Sequence, residues 1–571
     1  MFIYIDQEEQ MKVLIIGGSA AGPKTASKIR RLDGNADITI IQKGKYLSMA
    51  SCGYPYFVGG VFDDPNKLIS TPTGVPRDPD FFSKVKNITA LVETEAVSID
   101  REKKSVSVKN LATGKSDVLS YDKLVLTTGA RPIVPPIPGI DLDGVDSLQS
   151  MEDAVGLKKI VSEKKCKKAV VIGGGLIGIE TCEAFQLAGI EVTVVEMLDQ
   201  ILPFLDFEMA KTVENHLKAK GVNVITGNAV KEIKGTGSVN SVVLNDGTQI
   251  PCEQVVFSIG VRPNSGLAKD AGLKIGDRGG ISVNRFMQTS DPSIYAAGDC
   301  VEVTNLITHE KQPWPMGDAA NLQGRVAAQN IVLGNVEEYE GIVGTGICKV
   351  FDFTAGSTGL STKAANAEGF ENVLTAIHAA PDKPGFMGAN PVIIKLLAEK
   401  TTGKLLGMQI VGTGDAAKRL AMAAVAIQGH MGISQLVNLD LPYAPPFSPA
   451  IDNFITAAHV LENKWRGYMD GIGPLELYKR LEKGEKPFLL DVRGPAEFEQ
   501  MRLGRGEKLI PLGKLRASVQ ELPQDKNSEI IAYCKISLRG YEAACCLKSM
   551  GYTNVKVLEG GLVAWPFGKE T

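Results

Sequence analysis

Apolar and polar positions along this chain change their rhythm several times, and each change predicts an element. "KVLII" and "DITII" are short, nearly unbroken apolar runs, as a strand buried on both faces requires. Between them lie a glycine turn and a helical stretch, so residues 11–44 predict a β-α-β unit. The same order returns in "KAVVIGGGLIGIETCEAFQLAGIEVTVVEM" (168–197). Apolar strands that run into glycine follow at "LVLTTGARP" (124–132), "VVFSIGVRPN" (255–264) and "IYAAGDC" (294–300). After about residue 335 the pattern turns to two strands about a turn, "NPVIIKLLAEKTTGKLLGMQIVG" (390–412), then a helical run at 414–430. Residues 460–474 read as a linker, and "GIGP" (471–474) opens a further module with the strands "FLLD" and "IIAY".

The two glycine turns carry chemistry. In the first, Gly17-Gly18-Ser19-Ala20-Ala21-Gly22, the backbone can approach a pyrophosphate, which then sits on the helix N-terminus and its positive dipole end. Gly17, Gly18, Ala20, Ala21 and Gly22 are therefore cofactor-binding candidates, with Gln42 and Lys43 at the end of the following strand, where an acid more often meets the ribose. The second turn reads Gly173-x-Gly175-x-x-Gly178, and its next strand ends at Glu196. That acid can accept a hydrogen bond from a ribose 2′-hydroxyl and repels a 2′-phosphate, so NADH is expected in preference to NADPH. Two such units imply two dinucleotides.

The totals narrow the partners. A chain of 571 residues exceeds the ~250–300 at which a single core stops growing, so several domains are expected. Hydrophobic content of 44% and charged content of 22% are those of an ordinary globular protein. A net charge of −3 gives no reason to expect nucleic acid or a membrane surface, and no apolar run approaches the ~20 residues of a membrane span. "MFIYIDQEEQ" lacks the basic start and apolar core of a signal peptide, so it reads as a tail ahead of Met11 and the expected location is cytoplasmic. The nine cysteines form no regular framework and no CxxC pair, and only five histidines are scattered along the chain, so no metal site is expected. Any special cysteine is then redox or catalytic.

In combination, the two fingerprints and the three glycine crossings resemble the flavoprotein pyridine nucleotide–disulfide oxidoreductases over roughly residues 11–460. The resemblance implies FAD at the first unit, NADH at the second, and Asp299 on the FAD ribityl chain. Thr128, Gly129, Arg131 and Gly260 of the crossings join the cofactor-binding candidates. It also implies a C-terminal dimerisation domain, a homodimer, and a "YAPPF" stretch that reaches the partner subunit's active site.

Most such enzymes use a cysteine pair, whereas "YLSMASCGYPYFVGG" (46–60) holds Cys52 alone. That stretch resembles the "SFANCGLPYY" signature of coenzyme A–disulfide reductases and their persulfide-reducing relatives, in which a single cysteine exchanges with CoA. Met49 stands for the usual phenylalanine, Ser51 for asparagine and Tyr54 for leucine. Lys24, Lys28 and Arg31 share one helix face and, with Ser48 and Ser51, are candidates for holding CoA. Tyr443 of "PYAPPF" matches a tyrosine that approaches the sulfur substrate, and a phenol can protonate a departing thiolate. The family's second tyrosine is missing, with Phe386 in "DKPGFMGAN". The last module resembles a rhodanese. Cys534-Lys-Ile-Ser-Leu-Arg539 has the six-residue loop of sulfur-transferring members, whose inward N–H groups form an anion nest, and Arg539 adds charge. The remaining cysteines, 166, 182, 252, 300, 348, 545 and 546, read as packing residues.

The expected fold is thus α/β: two Rossmann-like dinucleotide-binding domains, an α+β dimerisation domain and a C-terminal rhodanese-like domain. The expected boundaries are a tail at 1–10, the FAD domain at 11–150 and 276–334, the NAD(P)H domain at 151–275, the dimerisation domain at 335–459, a linker at 460–474 and the rhodanese at 475–571. The expected function is an FAD- and NADH-dependent reductase of CoA persulfide, polysulfide or CoA disulfide through Cys52, with CoA as carrier or substrate and Cys534 delivering sulfur. Two alternatives stand beside it: an NADH oxidase or peroxidase using a Cys52 sulfenate, and a sulfurtransferase or redox sensor with a slow flavin domain.

Overall fold

The computed structural model describes residues 10–370 and 372–571, so the expected tail lies outside the described residues apart from Gln10. Two compact units divide the chain. One runs up to Val195 and takes in Ala229–Ile342; the other holds Glu196–Asn228 and Val343–Thr571.

The first unit is built on two parallel sheets. One has the strand order Ile294–Ala296, Lys123–Leu126, Lys12–Ile16, Asp37–Ile41, Thr89–Leu91, all parallel. Its central strand Lys12–Ile16 is buried at every residue after the first, which is why its sequence is a continuous apolar run. The chain then turns at Gly17, whose φ of +114° and position against the Thr127 carbonyl admit no side chain: a Cβ there would lie 2.0 Å from that oxygen. Helix Ala21–Leu32 follows. Its far end is tied down by Arg30, which donates to the carbonyls of Gly34, Ala36 and Asn87. The helix packs on Gly317–Leu333, and the Thr25 hydroxyl donates to the Gly324 carbonyl at 3.1 Å. In the second sheet Glu191–Val195, Lys168–Ile172, Gln254–Phe257 and Val145–Asp146 lie side by side, again parallel.

The second unit contains a five-stranded antiparallel sheet in the order Gly346–Val350, Phe353–Gly359, Leu405–Gly412, Pro391–Glu399, Val373–Pro381. Lys395 is buried there between Asp206 at 2.7 Å and Glu208 at 2.6 Å, which anchors helix Phe207–Ala219. A separate sheet of five parallel strands, Gly471–Ile472, Val555–Leu558, Ile530–Tyr533, Phe488–Asp491 and Lys508–Leu509, forms the C-terminal module. At the end of strand Phe488–Asp491 the buried Asp491 holds Arg493 at 2.7 Å, and Arg493 in turn donates to the carbonyls of Glu497 and Met501.

The segment 460–474 is not an extended linker. Helix Asn453–Trp465 runs through its first six residues, with Leu461 fully buried, and Gly471–Ile472 is already a strand of the C-terminal sheet. The apolar residues Phe454, Ile455, Ala457, Ala458 and Leu461 recur at helical spacing and keep the helix going.

Candidate functional site

Both glycine turns present bare backbone. Helix Ala21–Leu32 has no side-chain cap and no acid in its first turn, and neither does helix Leu176–Leu187, which starts at Gly175. Four N–H groups at such an end need a partner, and an anion is the natural one. Around the first turn, Gly18 N–H donates to Gln42 Oε1 at 2.8 Å, so the Gln42 oxygen, expected on the ribose, is committed to shaping the turn. Lys43 pairs with Glu95 at 2.8 Å. In the second turn Gly178 packs so closely that a Cβ would sit 2.0 Å from the Gly173 carbonyl, whereas nothing lies within 4 Å of one on Gly175. That open position is where a pyrophosphate can approach. Glu196 follows directly on strand Glu191–Val195, and its Oε1 accepts from Leu198 N–H at 2.8 Å.

Sequence reading passed over two residues that brace these turns. The Thr127 hydroxyl donates to Ile16 and Gly17 carbonyls at 2.9 and 3.0 Å, and the Ser258 hydroxyl does the same for Ile172 and Gly173 at 3.2 and 3.1 Å. The signal was present: each is the first residue past the strand in the matching crossings "VLTTGARP" and "VFSIGVRP". Those crossings also pair with each other, Ala130–Pro132 antiparallel to Val261–Pro263. Thr128 Oγ1 donates to the Asn264 carbonyl at 2.6 Å, Asn264 N–H to the Gly129 carbonyl at 2.9 Å, and Arg131 to Asn264 Oδ1 at 3.1 Å. Gly260, at φ +104°, holds Ile133 N–H on its carbonyl. Asp299 follows strand Ile294–Ala296, and burial pushes its carboxyl up to about 6. A carboxylate so placed gains from hydroxyl donors such as those of a polyol. The bare turns and Asp299 fit FAD at the Gly17–Gly22 turn and NADH at the Gly173–Gly178 turn.

Cys52 lies in a short turn, Ser51–Gly53, that leads into helix Tyr54–Val58. Its thiol is reachable from solvent, while Cys166, Cys182, Cys252 and Cys300 of the same unit are buried. The sulfur faces the start of helix Gly317–Leu333: a Cβ on Gly317 would lie 3.8 Å from it. Loss of surrounding water pushes the Cys52 pKa up, and the carboxylates of Glu180, Asp299 and Asp318 push it the same way. Glu180, on helix Leu176–Leu187, accepts from the Tyr56 hydroxyl at 3.1 Å, and burial raises its carboxyl to about 7. Two departures from the resembled signature meet each other, the Tyr54 hydroxyl lying 3.4 Å from the Met49 sulfur. Ser48 takes a φ of +51° and donates its N–H to the Gly18 carbonyl; Ser51 is exposed. Lys24 and Arg31 are exposed, Lys28 is half-buried, and among the described residues none of the three forms an ion pair.

In the second unit Tyr443 is 55% exposed and lines a recess of about 330 Å³ with Val437, Leu439, Ile451 and His459. Phe386, in place of a tyrosine, is 80% exposed. Cys534 directly follows strand Ile530–Tyr533 and is buried at the base of its loop. The loop reaches helix Leu538–Ser549 through Ser537, held at φ +78°. Arg539 makes a two-pronged pair with Glu497, at 2.7 and 2.8 Å, that sequence reading did not anticipate. Glu497 keeps Arg539 protonated, with a further contribution from the Cys534 sulfur, and is itself lowered to about 2. Of the cysteines expected to pack, Cys545 is instead exposed, because it falls on the outer side of helix Leu538–Ser549.

Two bare dinucleotide turns and, in the same unit, the reachable thiol of Cys52 define a redox protein of the two-dinucleotide class. The family model "Pyridine nucleotide-disulphide oxidoreductase" matches residues 11–316, its dimerisation domain matches 345–454, and a rhodanese-like domain matches 473–566. The chain belongs to the pyridine nucleotide-disulphide oxidoreductases, and the expected fold class is the one observed. It is similar along 97% of its length, and all of the other's, to a structure of a NAD-dependent persulfide reductase from A. fulgidus, at 45% identity and a TM-score of 0.92. It is 37% identical to an NADH oxidase of Methanocaldococcus jannaschii, over 77% of this chain and 96% of that one. A NAD(P)H coenzyme A polysulfide/persulfide reductase of Pyrococcus horikoshii is 35% identical over 79% of this chain and 98% of its own.

Proposed function

We propose that this protein is an FAD- and NADH-dependent reductase of sulfane sulfur or CoA-linked disulfides that works through Cys52, fed with sulfur by Cys534. The observation that carries the reading is that Cys52 is the one solvent-reachable cysteine of its unit, with the other four buried, so the S–S bond it opens must come from a substrate. The likeness to a persulfide reductase over nearly the whole chain, rhodanese module included, supports the same choice.

When bound, FAD supplies the electron pair taken from NADH, and the remaining roles fall to this chain's residues. The two helix N-termini hold the pyrophosphates, Asp299 accepts from the flavin's polyol and Glu196 from a ribose hydroxyl. Thiolate Cys52 attacks the sulfane sulfur or disulfide, and as the new S–S bond to Cys52 forms the old one breaks and its other sulfur leaves as an anion. The charge of Glu180, which accepts from the Tyr56 hydroxyl, acts on the Cys52 thiol. The unpaired row Lys24, Lys28 and Arg31, with Ser48 and Ser51, receives the CoA phosphates. Tyr443, Phe447 and Ile451 are more than half exposed and Phe386 more so, which suits burial against a second copy in a cytoplasmic homodimer. In the C-terminal module Cys534 carries the transferred sulfur, with Arg539 beside it.

Anaerobic NADH oxidation by wild type and Cys52→Ser, offered CoA persulfide, polysulfide and CoA disulfide in turn, tests the reading. Turnover with one of these that falls at least about a hundredfold in the variant is expected. Turnover with oxygen alone, indifferent to CoA, would instead favour the oxidase chemistry named for the M. jannaschii relative.

A further inference from the structure

Strand Val373–Pro381 is an edge of the antiparallel sheet: among the described residues it pairs only with Pro391–Glu399, so alternate backbone groups point away from the sheet. Two of them are met by side chains from different modules. Ile377 N–H donates to Glu559 Oε2 at 2.9 Å, and Lys464 Nζ donates to the Thr375 carbonyl at 2.6 Å. Lys464 and Glu559 also pair directly with each other. Glu559 is 2% exposed although it belongs to the C-terminal module, while Lys464 comes from helix Asn453–Trp465. A charge so buried is retained only where partners hold it, and here Ile377 N–H and the Lys464 ammonium do.

The residues after Glu559 run from this contact to the sulfur site. Gly560 takes φ +67°, and a Cβ on it would stand 3.0 Å from the Ile377 side chain. Gly561, at φ +56°, lies against the Cys534 loop, where a Cβ would come within 2.4 Å of the Cys534 carbonyl. Leu562 N–H donates to that same carbonyl at 3.1 Å and Val563 N–H to the Lys535 carbonyl at 3.0 Å. A second tether lies apart from this run, Asn215 Nδ2 to the Pro566 carbonyl at 2.6 Å.

We infer that Glu559 is a positioning residue: clamped with Lys464 on the sheet edge, it seats the rhodanese-like module and fixes the Cys534 loop at a set place, from which sulfur is handed on without a swing of the module. The handover conserves atoms and electrons. The outer S–S bond of the Cys534 persulfide breaks as an acceptor thiolate, R–S⁻, takes the outer –SH to become R–S–SH, and Cys534 leaves as its thiolate. The inference rests on the proposed reductase reading.

Three rates and one exchange measurement on the full-length holoenzyme test it, for Glu559→Ala and, from the other side of the contact, Lys464→Met. The rates are sulfur transfer from glutathione persulfide to a small thiol, NADH oxidation with CoA persulfide supplied directly, and NADH oxidation with glutathione persulfide plus catalytic CoA. The first two are expected to stay near wild type, while the coupled rate falls about tenfold or more as the local concentration of the donor sulfur is lost. Glu559→Gln keeps an acceptor for Ile377 N–H and should recover part of it. Hydrogen exchange of the 373–381 segment should quicken in Glu559→Ala and Lys464→Met. An unchanged coupled rate with quickened exchange would overturn the positioning role, and unchanged exchange would overturn the clamp itself. A wild type that turns over CoA persulfide but not the coupled mixture would overturn the relay while leaving Cys52 reduction standing; failure of both NADH assays would count against the reductase reading.

Discussion

At the scale of single residues, the thiol of Cys52 is held back by its neighbours. Burial and the carboxylates of Glu180, Asp299 and Asp318 all favour the neutral form, so little thiolate exists at neutral pH until a ligand changes the surroundings. Removing one of those negative charges should lower the pKa. Glu180→Gln is therefore expected to raise the rate of Cys52 alkylation at pH 8, where the Glu180 carboxyl, at about 7, is ionised in the wild type, measured with iodoacetamide. Ser537 offers a different test. A serine at φ +78° carries backbone strain that glycine does not, so Ser537→Gly should stabilise the C-terminal module by about 1 kcal/mol, seen as a higher melting temperature. The sequence singles out Cys52 and Cys534 by residue type and setting. It does not single out Thr127, Ser258 and Glu497, because each acts on a partner far away in the chain or through a short hydroxyl contact that no spacing rule reveals.

At the scale of elements, the glycine turns were the clearest part of the sequence, since a turn that must admit backbone against backbone leaves few residue choices. Gln42 shows the limit of that clarity: the sequence places it correctly at the strand end, but only the fold reveals that its oxygen is spent on Gly18. In the segment 460–474, expected as a linker, the helix Asn453–Trp465 keeps its apolar stripe through the first six residues, a continuity that a change of module hides in the sequence. The edge strand Val373–Pro381 carries its own pH signature. Burial pushes His378 down to about 4 from an ordinary 6.5, outweighing its hydrogen bond with Asn453 and the Asp452 charge, which favour the protonated ring. An unfolded chain binds that proton below about pH 6.5 while the folded one refuses it until about pH 4, so stability should fall across this window. His378→Gln should flatten the fall, checked by melting temperatures at pH 7 and pH 5.

At the scale of the whole molecule, three matched domains place a nicotinamide-driven reductase and a sulfur carrier in one chain, so donor and acceptor are always present in equal number. The dimerisation and rhodanese-like modules are not beads on a string: they share one compact unit, joined through Lys464, Glu559 and the sheet edge. The same joint has a colloidal consequence. A chain shortened to end after Trp465 would keep Lys464 but lose Glu559, leaving the Ile377 N–H on a long apolar strand open to any other strand that drifts past. Open edges of that kind template intermolecular pairing. The C-terminal module therefore doubles as a guard against aggregation, and cutting it away to study the reductase alone would expose a surface prone to self-association.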